Sequence, residues 1–201
     1  MHTSSEPPAY QSMASAPSTP AKKHDKYYYD DGNLVIRTSD AILFRLWDEK
    51  PSSDENPLVL EDVSSADFER LLWVLFPPIL GQCQANSFPD WSAILSLATK
   101  FGVSDVRDLA IKELGKLPLE PVDKISLQQT YTIDKKWAAD AFVALCTRAP
   151  ALEVDEGKKL GIEMTVQVAA AREKLDKWGR KKPEEVKKVV TEVWGVAVES
   201  T

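Results

Sequence analysis

The sequence predicts an α+β fold from two observations. Short apolar and β-branched runs separated by turn residues crowd into residues 34 to 60, and from residue 64 onward apolar residues recur instead at helical spacing. A third observation marks the change of regime: Leu58 to Pro78 carries a strand, a capped helix and a hard stop in one line.

Residues 1 to 26 are rich in Pro, Ser, Ala and Thr, too poor in apolar surface to offset the entropy of ordering, and read as a disordered tail. Ser18-Thr19-Pro20 reads there as solvated chain rather than as a phosphorylation site. Tyr27, Tyr28 and Tyr29 open the ordered region. Asp30-Asp31-Gly32-Asn33 then supplies a turn, with short acceptors and a glycine free to take positive φ. The two aspartates lack a third ligand at a useful spacing, so a turn is preferred to a metal or acid/base pair.

Leu34-Val35-Ile36 and Ala41-Ile42-Leu43-Phe44, on either side of Arg37 to Asp40, read as a β-hairpin. Residues 48 to 57, DEKPSSDENP, form an acidic exposed loop without an apolar anchor. Leu58-Val59-Leu60 read as a short buried strand that pairs with the hairpin.

Ser64 stands at an N-cap position with Asp67 three residues on, and Phe68, Leu71, Leu72, Leu75 and Phe76 form one apolar stripe that Pro77 and Pro78 end. Arg70 and Trp73 fall off that stripe and are expected to point outward. Ser87 caps the next helix with Asp90 at its third position; Trp91, Ile94, Leu95 and Ala98 are its core residues and Gly102 its end. Ser104 begins another, with Val106, Leu109, Ala110 and Leu114 inward and Gly115 terminating.

Pro121 starts a weaker helix through about Tyr131. Asp134 caps a helix through Cys146 that is apolar nearly all round, from Trp137 to Leu145, and is therefore expected to be central. A short helix from Asp155 to Leu160 breaks at Gly161, and a longer one, Ile162 to about Lys177, carries Ile162, Val166, Ala169 and Ala170 on one face. Residues 179 to 183, GRKKP, read as a basic linker, and Val186, Val189, Val190, Val193 and Trp194 as a final apolar stripe for a partner or the chain's own domain to cover.

Lys plus Arg number 25 against 31 Asp plus Glu, a net charge of −6 that opposes a nucleic-acid or anionic-membrane partner. Cys83 and Cys146 lie far apart without metal-ligand spacing, which suits free thiols in the cytoplasm or nucleus. There is no apolar leader and no run near the ~18 apolar residues of a membrane span, so the chain is expected to be neither secreted nor embedded. His2 and His24 both fall in the expected tail. A histidine-free domain excludes Ser/His/Asp and Cys/His catalysis and histidine-bearing zinc sites. No phosphate loop, CxxC pair or repeat is present. No catalytic, cofactor-binding or metal-binding residue is expected, no cofactor, and no enzymatic activity.

Tyr28-Tyr29-Asp30-Asp31-Gly32-Asn33-Leu34-Val35-Ile36, Phe44-Arg45-Leu46, Asp54 to Leu60 and Phe68 to Leu75 together resemble the BTB/POZ-domain proteins expanded in mushroom-forming fungi. The resemblance runs on through Ala110 to Leu114, Pro121 to Ile125 and Ala144 to Arg148, over residues 27 to 175. It implies a small β-sheet capped by helices over residues 27 to 117, a helical extension over 118 to 177, and a basic linker with a short amphipathic helix over 178 to 201. Where the family usually carries His-Arg and two helices after the second strand, Trp47 stands here and the loop leads straight to the third strand.

The implied function is a non-enzymatic protein–protein interaction module, a dimerising scaffold or a substrate adaptor for a cullin-type ubiquitin ligase. Glu69, Arg70 and Trp73 are the candidate partner-binding residues. Cullin-binding members often place Glu two positions after an apolar residue of this helix; here Arg70 follows Phe68, which reverses the charge. The alternatives are a nuclear regulatory protein acting through residues 180 to 194, or a truncated gene product without function.

Overall fold

The computed structural model describes residues 20–77, 79, 83–177 and 182–197. The expected tail at 1–19, with Ser18 and Thr19, and most of the basic linker, at 178–181, lie outside the described residues. The fold class is α+β, and the chain divides into two compact units at Ser65.

The first unit is a four-stranded mixed sheet in the order β1-β3-β2-β4, built from Lys22–Tyr28, Leu34–Thr38, Ile42–Leu46 and Leu58–Leu60. β2 and β3 form the expected hairpin, antiparallel with Ile36 opposite Phe44. Its loop is a turn closed by the Ala41 N–H to Thr38 carbonyl bond at 3.0 Å, followed by Ala41 itself at φ 62°. Val35, Ile36, Leu43 and Phe44 are all buried, so both faces of the central strands are covered.

β1 overturns the expected extent of the tail, because ordered strand starts at Lys22 and includes His24. Composition hid it: Lys22, Lys23, Asp25 and Lys26 are polar, yet the strand is held by backbone pairing parallel to β3. Its register slips between Lys23 and Tyr28. In that bulge the His24 Nδ1 accepts from the N–H groups of Lys26 and Tyr27, both at 3.2 Å, while its ring stacks on Phe44 at 4.5 Å. One histidine therefore belongs to the folded part.

β4 is an edge strand rather than a buried one, with Leu58 and Val59 about half exposed. The loop before it is anchored by polar groups, which an apolar count could not reveal. Ser52 donates its N–H to the Asn33 carbonyl, and its hydroxyl both accepts from Val35 N–H and donates to Val35 carbonyl. Ser39 N–H donates to Val63 at 2.9 Å farther along, so the outer edge of β2 is occupied from residue 33 to 39.

The second unit is helical. α1 is Ser65–Leu75, α2 Phe88–Phe101 and α3 Ser104–Leu114. α2 starts as the spacing predicts, with the Ser87 hydroxyl accepting from Asp90 N–H and the Asp90 carboxylate accepting from the N–H of Ser87. It ends on Gly102 at φ 70°, and Trp91, Ile94, Leu95 and Ala98 are buried. In α3 Val106, Ala110 and Leu114 are buried, but Leu109 is about one-third exposed.

α4 (Pro121–Thr130), a 3₁₀ turn (Lys135–Ala138), α5 (Ala139–Thr147), α6 (Val154–Leu160), α7 (Ile162–Lys177) and α8 (Pro183–Trp194) share one core. Phe142, Leu145 and Cys146 of α5 are fully buried at its centre, as the nearly all-apolar pattern implies. Two expectations change here. α7 buries Met164, Val168, Ala171 and Leu175, whereas Ile162 and Val166 are strongly exposed; two apolar stripes share this helix, and the buried one continues to Leu175. α8 is no appendage beyond residue 177: Val186, Val189, Val190 and Trp194 complete the α4–α8 core. The chain's own domain covers that stripe.

Candidate interaction surface on helix α1

α1 forms because its apolar residues repeat at i, i+3 and i+4, and Phe68, Leu71 and Leu72 are buried accordingly. Its first residue is fastened by Asp40, whose carboxylate accepts from Ser65 N–H at 2.9 Å and from the Ser65 hydroxyl. Burial tends to raise the Asp40 carboxyl, but the bonds from Ser65 and Thr38 hold it below the ordinary value.

The three candidate residues divide into two groups. Arg70 is about a quarter exposed and is committed within the chain: its guanidinium donates to Asp67 at 2.9 Å and to Asp90 at 3.0 Å. Glu69 and Trp73 are half-buried, and at ~100° per residue they share a line with Phe76, while Arg70 lies about a quarter-turn away. Trp73 Nε1 is buried with no hydrogen-bond partner among the described residues.

At the end of this line the surface is apolar. Leu75 is 41 % exposed, Phe76 38 % and, past the proline stop, Ile79 59 %. Leu75 and Phe76 were expected in the core stripe; they stand where α1 ends, and both are exposed instead. The arrangement offers exposed apolar area at the helix end, with an acidic and an indole side chain on the same helix line as Phe76.

One charged cluster was missed from sequence. The Tyr28 hydroxyl donates to Asp54 at 2.6 Å, Arg45 donates to the same carboxylate at 2.8 Å, and the Tyr28 ring lies 4.4 Å from Lys23 Nζ and 4.5 Å from Arg45 Cζ. The Tyr28 bond and Arg45 hold the Asp54 carboxyl below its ordinary value, while burial and Asp54 raise the phenol. The cluster's role is to tie the 48–57 loop to β1 and β3. Tyr28 and Asp54 are 26 residues apart, and no local spacing announces their meeting.

Asp30 and Asp31 form the expected turn, Cys83 is an exposed free thiol and Cys146 a buried one. Among the described residues no group of three His, Cys, Asp or Glu side chains could hold a metal ion, and no helix is long and apolar enough to cross a membrane. No family model matches the chain, nor does any curated protein or solved structure.

Proposed function

We propose that this protein is a non-enzymatic protein–protein interaction module of the BTB/POZ kind, a self-associating scaffold or an adaptor to a cullin-type ubiquitin ligase in the cytoplasm or nucleus. The observation that carries the reading is the exposure of Leu75, Phe76 and Ile79 at and just past the end of α1, with Phe76 on the same helix line as Trp73. Partner contact would be apolar at Phe76 and Ile79, with Glu69 at its polar margin. Arg70 supports that face from behind by holding α1 to the start of α2.

The test uses the purified full chain. Sedimentation velocity over a range of concentrations reads self-association, and titration with a purified cullin N-terminal domain reads the adaptor contact. Phe76→Asp, at an exposed position, should abolish whichever association is seen while the circular dichroism spectrum is retained. A strictly monomeric chain with no cullin affinity would sink the proposal, as would an association that Phe76→Asp leaves intact.

A further inference from the structure

The sheet of the first unit ends on two different kinds of edge strand. β1, at one side, carries Lys22, Lys23 and Lys26, and lysines along an edge deter the approach of another chain. β4, at the other, is Leu58-Val59-Leu60 and has no charged residue. Leu58 is 52 % exposed and Val59 50 %, and neighbouring residues of a strand point to opposite faces, so β4 is open on both.

The backbone of β4 is open as well. It pairs with β2 along one side, Val59 beside Arg37, and among the described residues nothing bonds to its other side. The outer edge of β2 is filled on either side of β4, by Ser52 at Val35 and by Val63 at Ser39, so the open backbone on this flank is that of β4 itself.

A cleft of about 420 Å³ opens at the start of this edge, lined by Leu34, Pro51, Pro57 and Leu58, with Lys50 and Asn56 also on its walls. Ile36 stands beside Leu58 in the register and Leu34 lies two residues before Ile36, so Leu34 and Leu58 share one face of the sheet. The wall is held by bonds within the unit. Asn33 Nδ2 donates to the Asp48 carbonyl at 2.6 Å, Asp48 N–H donates back to Asn33 Oδ1 at 2.8 Å, and the Ser52 hydroxyl is locked between the N–H and carbonyl of Val35. A preformed wall spares a ligand the cost of ordering it.

We propose that β4 accepts a short extended segment of another protein as an added strand, with an apolar side chain of that segment seated in the cleft. The open edge sets the occupant's form. Its N–H and C=O groups recur at a spacing that an extended backbone matches, whereas a helix spends its own groups internally. The pleat sets the pattern: alternate side chains fall on the Leu34 and Leu58 face, so the segment is apolar at every second residue. The length of β4 decides against a second copy. Three residues span about 10 Å at ~3.3 Å each, bounded by Pro57, which has no N–H to donate, and by the turn at Glu61 and Asp62. That seam falls far short of the roughly 800 Å² that each of two whole protein chains contributes to a stable interface, but it aligns a peptide that gains its further contact in the cleft. The edge is built by other residues than the surface at the end of α1, so its test is independent of the one above.

The probe is a peptide of about seven residues, alternating Val and Thr with a lysine at one end and a glutamate at the other, together with a twin N-methylated at two consecutive central residues. Consecutive residues present their N–H groups to opposite edges, so the twin is blocked on both while its side chains and charge are unchanged. Both are titrated into the isotopically labelled full chain and read by the amide resonances of Leu58, Val59 and Leu60. The parent peptide should shift them and bind at least about tenfold more tightly than its twin. Val59→Lys, at a half-exposed position, should weaken the parent peptide at least about fivefold, and Phe76→Asp should leave its binding unchanged.

Equal binding of parent and twin, β4 amide resonances that neither peptide shifts, or binding indifferent to Val59→Lys in a chain that keeps its circular dichroism spectrum would overturn the proposal. So would self-association that Val59→Lys abolishes, since a second copy would then occupy the edge.

Discussion

Arg70 Nε donates to Asp90 Oδ1 at 3.0 Å, and the other oxygen of that carboxylate closes the start of α2 by accepting from Ser87 N–H at 3.2 Å and from the Ser87 hydroxyl. One aspartate thus joins a side chain of α1 to the cap of α2. Burial tends to raise the Asp90 carboxyl, but the bonds from Ser87, Arg70 and the backbone keep it below the ordinary value.

Arg70→Glu is therefore expected to act on stability first. It removes the guanidinium and gathers a third carboxylate beside Asp67 and Asp90, an arrangement that should cost about 1–3 kcal/mol in urea unfolding. Arg70→Met, which keeps the stem, should cost less. A double-mutant cycle of Arg70→Met with Asp90→Asn reads the coupling directly; zero coupling would mean that the bond contributes nothing. As a probe of partner binding Phe76→Asp is the cleaner substitution, because Phe76 is exposed at the end of α1.

The elements set by local chemistry were legible. Ser87, Asp90 and Gly102 mark both ends of α2, Pro121 starts α4, and the hairpin of β2 and β3 follows from its apolar runs, because each signal acts within a few residues. What could not be read depends on neighbours distant in sequence. β1 is polar and held by backbone bonds to β3, and the Tyr28–Asp54 pair spans the whole hairpin. α7 carries two stripes of equal periodicity, and only the partners on α5 and α8 decide which is buried. The candidate site divides in the same way: spacing places Glu69 and Trp73 on one line, but that Arg70 is committed to Asp90 depends on a helix 20 residues away.

Gly32 and Ala41 exchange the roles that residue type alone assigns. Gly32 does not take positive φ, but a Cβ there would stand 2.7 Å from the Leu46 carbonyl oxygen, whose position is fixed by the bond from Asn33 N–H at 2.9 Å. Gly32→Ala should cost about 1–3 kcal/mol, as overpacking against backbone does. Ala41 has φ 62° without being glycine. Ala41→Gly relieves roughly 1 kcal/mol of left-handed strain and loses a buried methyl and some chain rigidity, which nearly cancel it. Thermal unfolding should rank Gly32→Ala as clearly the more damaging; the reverse order would refute the close approach at Leu46.

Arg148 grips Glu156 through two guanidinium nitrogens, one at 2.7 Å, and joins the end of α5 to α6. That grip, aided by the Glu153 N–H, holds the Glu156 carboxyl at about 2 from an ordinary 4.5. Because the folded value is the lower one, the ionised carboxylate contributes its stability above the ordinary value and loses it as pH falls from 4.5 toward about 2. Glu156→Gln should thus be less stable than the parent at neutral pH, with the gap closing in that acid window. A gap that stayed constant down to the bottom of the window would contradict the pairing.

Trp194 is the final test of where the fold ends. Its ring stacks on Phe142 at 4.7 Å with an interplanar angle of 17°, and only 4 % of the residue is exposed. If α8 belongs to the α4–α8 core, Trp194→Ala opens a cavity beside Phe142 and should cost about 3–5 kcal/mol in denaturant unfolding. Trp194 Nε1 is buried without a partner among the described residues, so Trp194→Phe removes an unsatisfied donor while keeping the stack. It should therefore cost much less than Trp194→Ala, about 1–2 kcal/mol for the lost ring volume. A helix that merely trailed from the domain would show neither loss. Equal large penalties for Phe and Ala would mean that the indole N–H, rather than the stacked ring, holds α8 in place.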